Sequence, residues 1–294
     1  MQAQQIFQAI DAVAPRELQE SYDNTGLQCG DPHQEVSRVL TCLDVTEAVV
    51  QEAHERGCQL IVSHHPLLFR GTKCINPQGD YISRVLWHAI RYGIGLYASH
   101  TNLDKAVGGM NHRLADLLGL TDVRPMSECG VYGQLPRPMS ALELLDHIKT
   151  TLGDVPLRCN RDAASLSTSH SSLHTPHSSF LIPPSSFLTP HSSFLTPHSS
   201  FLIPPSSFLQ TLALCTGSGA DFIPEAEALG VDAYLTGEMH YHTWFGHPQL
   251  LIVEAGHFET EQHAPALLSD IIQAACPGVE CLTSNHHQTP CLYL

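Results

Sequence analysis

The chain is short of positive charge. Its 294 residues carry 14 Lys and Arg against 29 Asp and Glu, a formal net charge of −15. That balance opposes non-specific binding to nucleic acid or to anionic lipid, since both depend on clustered basic side chains, although a local basic pocket is still allowed. Long apolar runs are missing too: none approaches the ~18 uninterrupted residues of a spanning helix. The first residues, MQAQQIFQAIDAVAP, have an amphipathic helical pattern without the basic and apolar regions of an export signal. A cytoplasmic protein that neither spans nor binds a membrane is expected. The ten Cys include no C-x-x-C pair, in a chain too long to need disulfide staples, so they read as mostly buried thiols in a reducing compartment.

A local absence is sharper. From Ala163 to Ala220 there is no Asp, Glu, Lys or Arg, in a chain that is 15% charged. The cause is a repeat beginning at His170: HSSLHTP, HSSFLIP, PSSFLTP, HSSFLTP, HSSFLIP, PSSFLQT. Seven-residue units suggest a coiled coil, but prolines in every copy exclude one, at a cost of ~3 kcal/mol for each interior proline. A solenoid unit of seven residues offers too little surface to bury. The segment 163–209 therefore reads as a disordered or extended low-complexity insertion. The sharper alternative is a metal-collecting tract using His170, His174, His177, His191 and His198, whose spacing changes from copy to copy. Setting those 47 residues aside leaves 247 of the 294.

What remains alternates. VLTCLDV (39–45), QLIVSHH (59–65), GIGLYASH (93–100), TLALCTG (211–217), VDAYLTGE (231–238) and QLLIVEAGH (249–257) are short apolar runs between polar or Gly-rich turns, as buried strands are. Helical patterns lie between them at 46–57, 80–93, 109–119, 141–153, 220–230 and 260–275, several ending in Gly. This predicts an α/β fold with mainly parallel sheets covered by helices.

Ligands in such folds bind beyond the carboxyl ends of the strands. Three strand ends here finish in metal-ligand residue types: His64-His65-Pro66, then His100 with Asp104, then His257 with Glu261. Neighbouring residues of a regular strand face opposite ways, so His64 and His65 share a site only where the strand breaks, and Pro66 marks that break. A helix starting near Phe258 puts His257 and Glu261 on one face. The set mixes imidazole and carboxylate and contains no Cys, which fits an open site for Zn, Fe, Mn or Ni better than a closed structural zinc. Two divalent ions between two carboxylates leave a local surplus of about +2, enough to admit an anionic small molecule to an acidic protein. Cys215-Thr216-Gly217-Ser218-Gly219 is either a phosphate-holding turn or a plain tight βα turn. Asp23-Asn24-Thr25-Gly26 either orders the site entrance or is an Asx-type turn. Arg70, Lys73 and Lys105 follow the ligand motifs and either meet phosphate or are simply solvated.

In order along the chain, Tyr22-Asp23-Asn24-Thr25-Gly26-Leu27, Ser63-His64-His65-Pro66, Ser99-His100-Thr101-Asn102-Leu103-Asp104, Leu235-Thr236-Gly237-Glu238 with Tyr241-His242, and Gly256-His257 with Thr260-Glu261 resemble the motifs of the YbgI/YqfO-type dinuclear metal-centre proteins. These are also called Nif-three-like and are often named GTP cyclohydrolase type-two homologues. The resemblance covers residues 1 to about 162 and about 210 to the end. It implies two related α/β halves, placed here at 1–128 and 129–294 with the insert in the second, a two-metal site and a toroidal hexamer. By the same resemblance His64, His65, Asp104, His257 and Glu261 hold two divalent ions, His100 is a nearby acid/base or supporting group, and His242 lines the pocket. Tyr22 stands where the family usually carries Trp, and the repeat is a second departure. The implied function is a metal-dependent hydrolase acting on a nucleotide or related anionic heterocycle, with His100 or His242 moving protons. The alternative is a non-catalytic protein that stores, delivers or senses metal.

Overall fold

A computed structural model describes residues 1–160 and 208–291. Of the insert at 163–209, all but Phe208 and Leu209 lies outside the described residues, and with it both readings of the repeat. Two sheets organise the chain. The first contains β1 (Gly26–Cys29), β2 (Arg38–Cys42), β3 (Leu60–Ser63), β4 (Gly95–Ala98) and β11 (Glu280–Thr283), in the order β1-β4-β3-β2-β11. The second contains β5 (Thr121–Pro125), β6 (Val131–Met139), β7 (Arg158–Cys159), β8 (Leu209–Cys215), β9 (Ala233–Thr236) and β10 (Leu251–Glu254), in the order β5-β6-β8-β9-β10-β7. The six apolar runs are the adjacent parallel strands β2, β3, β4 and β8, β9, β10. Antiparallel partners flank them: β1 on β4, β6 on β8 with β5 beyond it, and β7 on β10.

Period-two alternation explains the layers. Val39, Leu60, Val62 and Tyr97 face helices α1 (Ala3–Val13) and α9 (Ala264–Ala275). Their neighbours Leu40, Ile61 and Leu96 face α2 (Glu47–Glu55) and α3 (Tyr81–Tyr92) on the other side. In the second sheet Leu212, Leu214, Leu235 and Val253 meet α5 (Met110–Leu117) and α6 (Ala141–Leu152). Ala213, Tyr234 and Ile252 meet α7 (Ile223–Leu229). Being covered on both faces is why these strands read as unbroken apolar runs.

Helix ends follow local chemistry. Thr46 and Asp80 cap α2 and α3 by accepting from Val49 N and Ser83 N, Ser140 and Glu143 form a capping box on α6, and Gly93, Gly153 and Gly230 close helices with positive φ. The chain passes from the first sheet to the second at β5, which pairs with β6, and β11 returns to the first by pairing with β2. Buried Glu52 fixes that return by accepting from Ser284 Oγ (2.6 Å) and Asn285 N (3.0 Å) while paired with Arg56 (2.6 Å). Among the described residues no helix is long and apolar enough to cross a membrane.

Candidate metal centre

The six strands formed by the apolar runs all deliver residues to one place. Asp44 follows β2, His64 and His65 follow β3, and His100 follows β4 at the start of α4 (Thr101–Lys105), which carries Asp104. Thr216 and Gly217 follow β8, Glu238 follows β9, and β10 leads into α8 (His257–Glu261). Past Ser63 the backbone of His64 and His65 still bonds to Cys42 O and Leu43 O, while Ser63 Oγ turns back to the His65 carbonyl (2.8 Å). Both rings thereby reach the same side, their centroids 5.2 Å apart.

His64 is fully buried. Its Nδ1 lies 2.8 Å from the Ser99 carbonyl oxygen, which only accepts, so Nδ1 carries a proton and Nε2 offers a lone pair whenever the ring is neutral. Burial favours that neutral form, but Asp104 and Glu261 outweigh it and raise the pKa. That Nε2 has no hydrogen-bond partner; it faces Asp104 Oδ1 at 3.5 Å and Glu261 Oε1 at 3.8 Å. Glu261, also buried, takes both His65 Nε2 (2.9 Å) and His257 Nε2 (3.0 Å) on its other oxygen, the latter across one helical turn. Two groups of ligand atoms, His64/Asp104/Glu261 and His65/His257/Glu261, are each small enough to surround an ion and share Glu261. His64, His65 and His100 make a third such group.

The free ring nitrogens are held from behind. His65 Nδ1 meets Asp44 Oδ1 at 2.7 Å, His257 Nδ1 meets Glu238 Oε2 at 3.3 Å, and His100 Nδ1 meets Asp23 Oδ1 at 2.8 Å. Such carboxylates orient an imidazole and raise its basicity toward a metal. Burial disfavours a charged ring at His65, but Asp44 and Glu261 outweigh it and raise the pKa to about 10. At His257 burial is likewise overcome, chiefly by Glu261, and the value rises to about 9. Burial favours a neutral Glu261, yet the facing imidazoles of His257, His64 and His65 hold it well below the usual range. Burial moves Asp104 upward, against the pull of His64. For Asp23, burial is overcome by His100 and Thr101, which hold it at about 2. Imidazolium protons thus balance the buried carboxylates without an ion, and a divalent cation would displace those protons. The lone Nε2 of His64, the shared carboxylate and the backed imidazoles fit a divalent metal.

Close packing protects this arrangement. Gly217 has φ +61°, and a Cβ there would intrude on Glu261 Oε1 and lie 3.2 Å from its Cδ. A cavity of about 250 Å³ opens above the cluster, with Tyr22, Phe69, His100, Asp104, His257 and Glu261 in its wall.

The structure therefore gathers His64, His65, His100, Asp104, His257 and Glu261. His242 is not brought in: it is exposed on a short 3₁₀ turn, Tyr241–Trp244, against the Tyr241 ring. Asp23 sides with the entrance-ordering reading, since it accepts from Asn24 N, binds His100 and holds Thr101. In the Cys215–Gly219 loop, the N–H groups of Thr216, Gly217 and Gly219 already donate to Asn111, Thr260 and Thr236, which favours the plain turn over a phosphate cradle. Lys105 reaches the cavity wall but pairs with Glu20 at 2.5 Å, while Arg70 and Lys73 are exposed and outside that wall. Asp44 and Glu238 were not singled out as metal-site residues from sequence. Both follow buried strands as the histidines do, but each backs a histidine from a different strand, a pairing the local sequence does not show.

Comparison with known proteins agrees with the fold. A family model described as Duf34/NIF3 (NGG1p interacting factor 3) matches residues 1–170 and 192–290. A Clostridium perfringens protein named GTP cyclohydrolase 1 type 2 homolog is 31% identical, covering 99% of this chain and 98% of its own. A Lactococcus lactis protein of the same name is 29% identical over 94% of this chain and 93% of its own. Among solved structures, a Bacillus cereus protein related to NIF3 superposes with a TM-score of 0.80 at 20% identity, covering 100% of this chain and 99% of its own. The protein ybgI, of unknown function, gives 0.73 at 23% identity, covering 97% and 98%.

Proposed function

The chain belongs to the Duf34/NIF3 family, and on that premise we propose that it holds two divalent ions and works as a metal-dependent hydrolase on a nucleotide or related anionic heterocycle. One observation carries the reading: buried Glu261 offers its two oxygens to separate imidazole groups, one of which contains the unpartnered Nε2 of His64. His64, Asp104 and Glu261 would hold one ion, and His65, His257 and Glu261 the other. When bound, the ions supply Lewis acidity and positive charge toward an anion in the cavity. His100 keeps Nδ1 on Asp23 and so leaves Nε2 to accept or release a proton. The names of the curated relatives support GTP ring opening as the first reaction to try. His242 stays outside this scheme unless a second chain or a bound ligand brings it near. A toroidal hexamer, which rests on the resemblance in sequence, and a cytoplasmic location, which rests on the scattered cysteines, belong to the same proposal.

Protein loaded with Zn, Mn or Fe and incubated with GTP is expected to release formate. No release above a His64→Ala control with any of these metals would end the GTP version. A second reading, metal storage or delivery, is favoured by the imidazolium protons that balance the carboxylates when no ion is present. Rapid metal exchange without turnover of any nucleotide would select it.

A further inference from the structure

Two thiols face each other in the wall of the cavity, and nothing in the chemistry above uses them. Cys129 precedes β6 and Cys215 ends β8; these strands are antiparallel neighbours, with Val131 opposite Leu214, so the two cysteines meet at the end of the ladder. Their Sγ atoms are 3.7 Å apart and both side chains are buried. Gly130, at φ +96°, permits the approach, since a Cβ there would lie 2.5 Å from the Leu214 oxygen and 3.3 Å from Cys215 Cβ. Cys129 also lines an adjoining cavity of about 630 Å³ that shares Asp104 and Lys105 with the first. Cys129 thus borders both cavities.

We propose that Cys129 and Cys215 are an oxidative modification site, a dithiol that a small hydroperoxide converts to a disulfide. Cys129 sulfur attacks the peroxide: the O–O bond breaks, an S–O bond forms, and the alcohol or water leaves with the thiol proton. Cys215 sulfur then attacks the Cys129 sulfenic acid, the S–S bond forms, the S–O bond breaks, and water leaves with the second proton. The dithiol gives up two electrons and the peroxide takes them. The hydrogen bond to Cys129 and then burial push the Cys215 thiol well above its ordinary range, which disfavours it as the first sulfur to attack. Closing 3.7 Å to the ~2.05 Å of a disulfide moves the sulfurs together by roughly 1.7 Å.

That movement has a route to the metal ligands. Asn111 Nδ2 lies 3.6 Å from Cys129 Sγ and donates to the Asp104 carbonyl at 2.8 Å, and its Oδ1 accepts from Thr216 N at 2.9 Å. Thr216 Oγ1 in turn sits 3.4 Å from Asp104 Oδ1. Oxidation is therefore expected to loosen the ion at Asp104. This consequence rests on the metal reading; the cross-link does not.

The test treats the full chain with hydrogen peroxide, alkylates it under denaturing conditions and maps its peptides. A Cys129–Cys215 cross-link is expected, with two of the ten thiols lost and recovered on adding dithiothreitol, and no such peptide from Cys129→Ser or Cys215→Ser. Zinc affinity by chelator competition should fall about tenfold on oxidation. Oxidation of exposed Cys74 and Cys291 that leaves Cys129 and Cys215 alkylatable would overturn the site. A mapped cross-link with unchanged zinc affinity would overturn its tie to Asp104. If zinc fails to bind the reduced protein at all, the metal reading falls while the peptide map still decides the disulfide.

Discussion

Replacing Gly217 with Ala separates backbone strain from damage to the cluster, because Gly230 supplies a matched control. Both glycines have positive φ, +61° and +68°. An L-residue held there costs about 1–2 kcal/mol, which in a domain of this size lowers Tm by roughly 2–8 °C. Gly230 ends α7 with nothing within 4 Å of an added methyl. At Gly217 the methyl intrudes on Glu261 Oε1 and lies 3.2 Å from Glu261 Cδ and 3.4 Å from His257 Cε1. Carbon contacts settle at ~3.5–4.0 Å, so Cδ has to retreat by roughly 0.3–0.8 Å and the overlapping Oε1 by more. Misplacing a shared ligand is expected to weaken divalent-metal binding by at least about tenfold, the scale seen when even supporting groups of a metal site are lost. Thermal melts and chelator competition on both variants read the two effects separately. Gly230→Ala should lose stability and keep its metal affinity, whereas Gly217→Ala should lose both. Equal metal affinity in the two variants would refute the assignment of Glu261 as the shared ligand.

Two further outcomes follow from the same geometry. Asp44→Asn keeps a hydrogen-bond acceptor for His65 Nδ1 but removes the charge at 2.7 Å; metal affinity should fall about 10–100-fold with little change in melting temperature, and unchanged affinity would contradict the orienting role. In metal-free protein, His65 and His257 titrate at about 10 and about 9, above the ~6.5 of an unfolded histidine. Their contribution to stability is complete below about pH 6.5 and is lost as pH rises through about 9 to about 10. Urea midpoints of chelator-treated protein should decline across that interval, and Glu261→Gln should flatten the decline; a flat wild-type profile would show that these pairs do not form.

Much of this was legible in the chain, for identifiable reasons. The parallel strands stand out because burial on both faces makes them uniformly apolar, and their carboxyl ends place His64, His100 and His257 where ligands bind. The strands outside the six apolar runs were not legible. β5 is mostly exposed, β6 carries Pro136 and Pro138 and alternates between buried and exposed, and β11 finds its place only by pairing with β2, far away in sequence. Within the site, Asp23, Asp44 and Glu238 act by backing a histidine contributed by a different strand. Their roles depend on tertiary placement that no local spacing encodes. The same limit applies to Cys129 and Cys215, which look like two scattered thiols until β6 lies beside β8.

The central claim is that two ions share Glu261. Elemental analysis of protein purified without added metal, alongside His65→Ala and Glu261→Ala, tests it most directly. The account predicts about two divalent ions per wild-type chain, at most one in His65→Ala and nearly none in Glu261→Ala. Full metal content in both variants would contradict it.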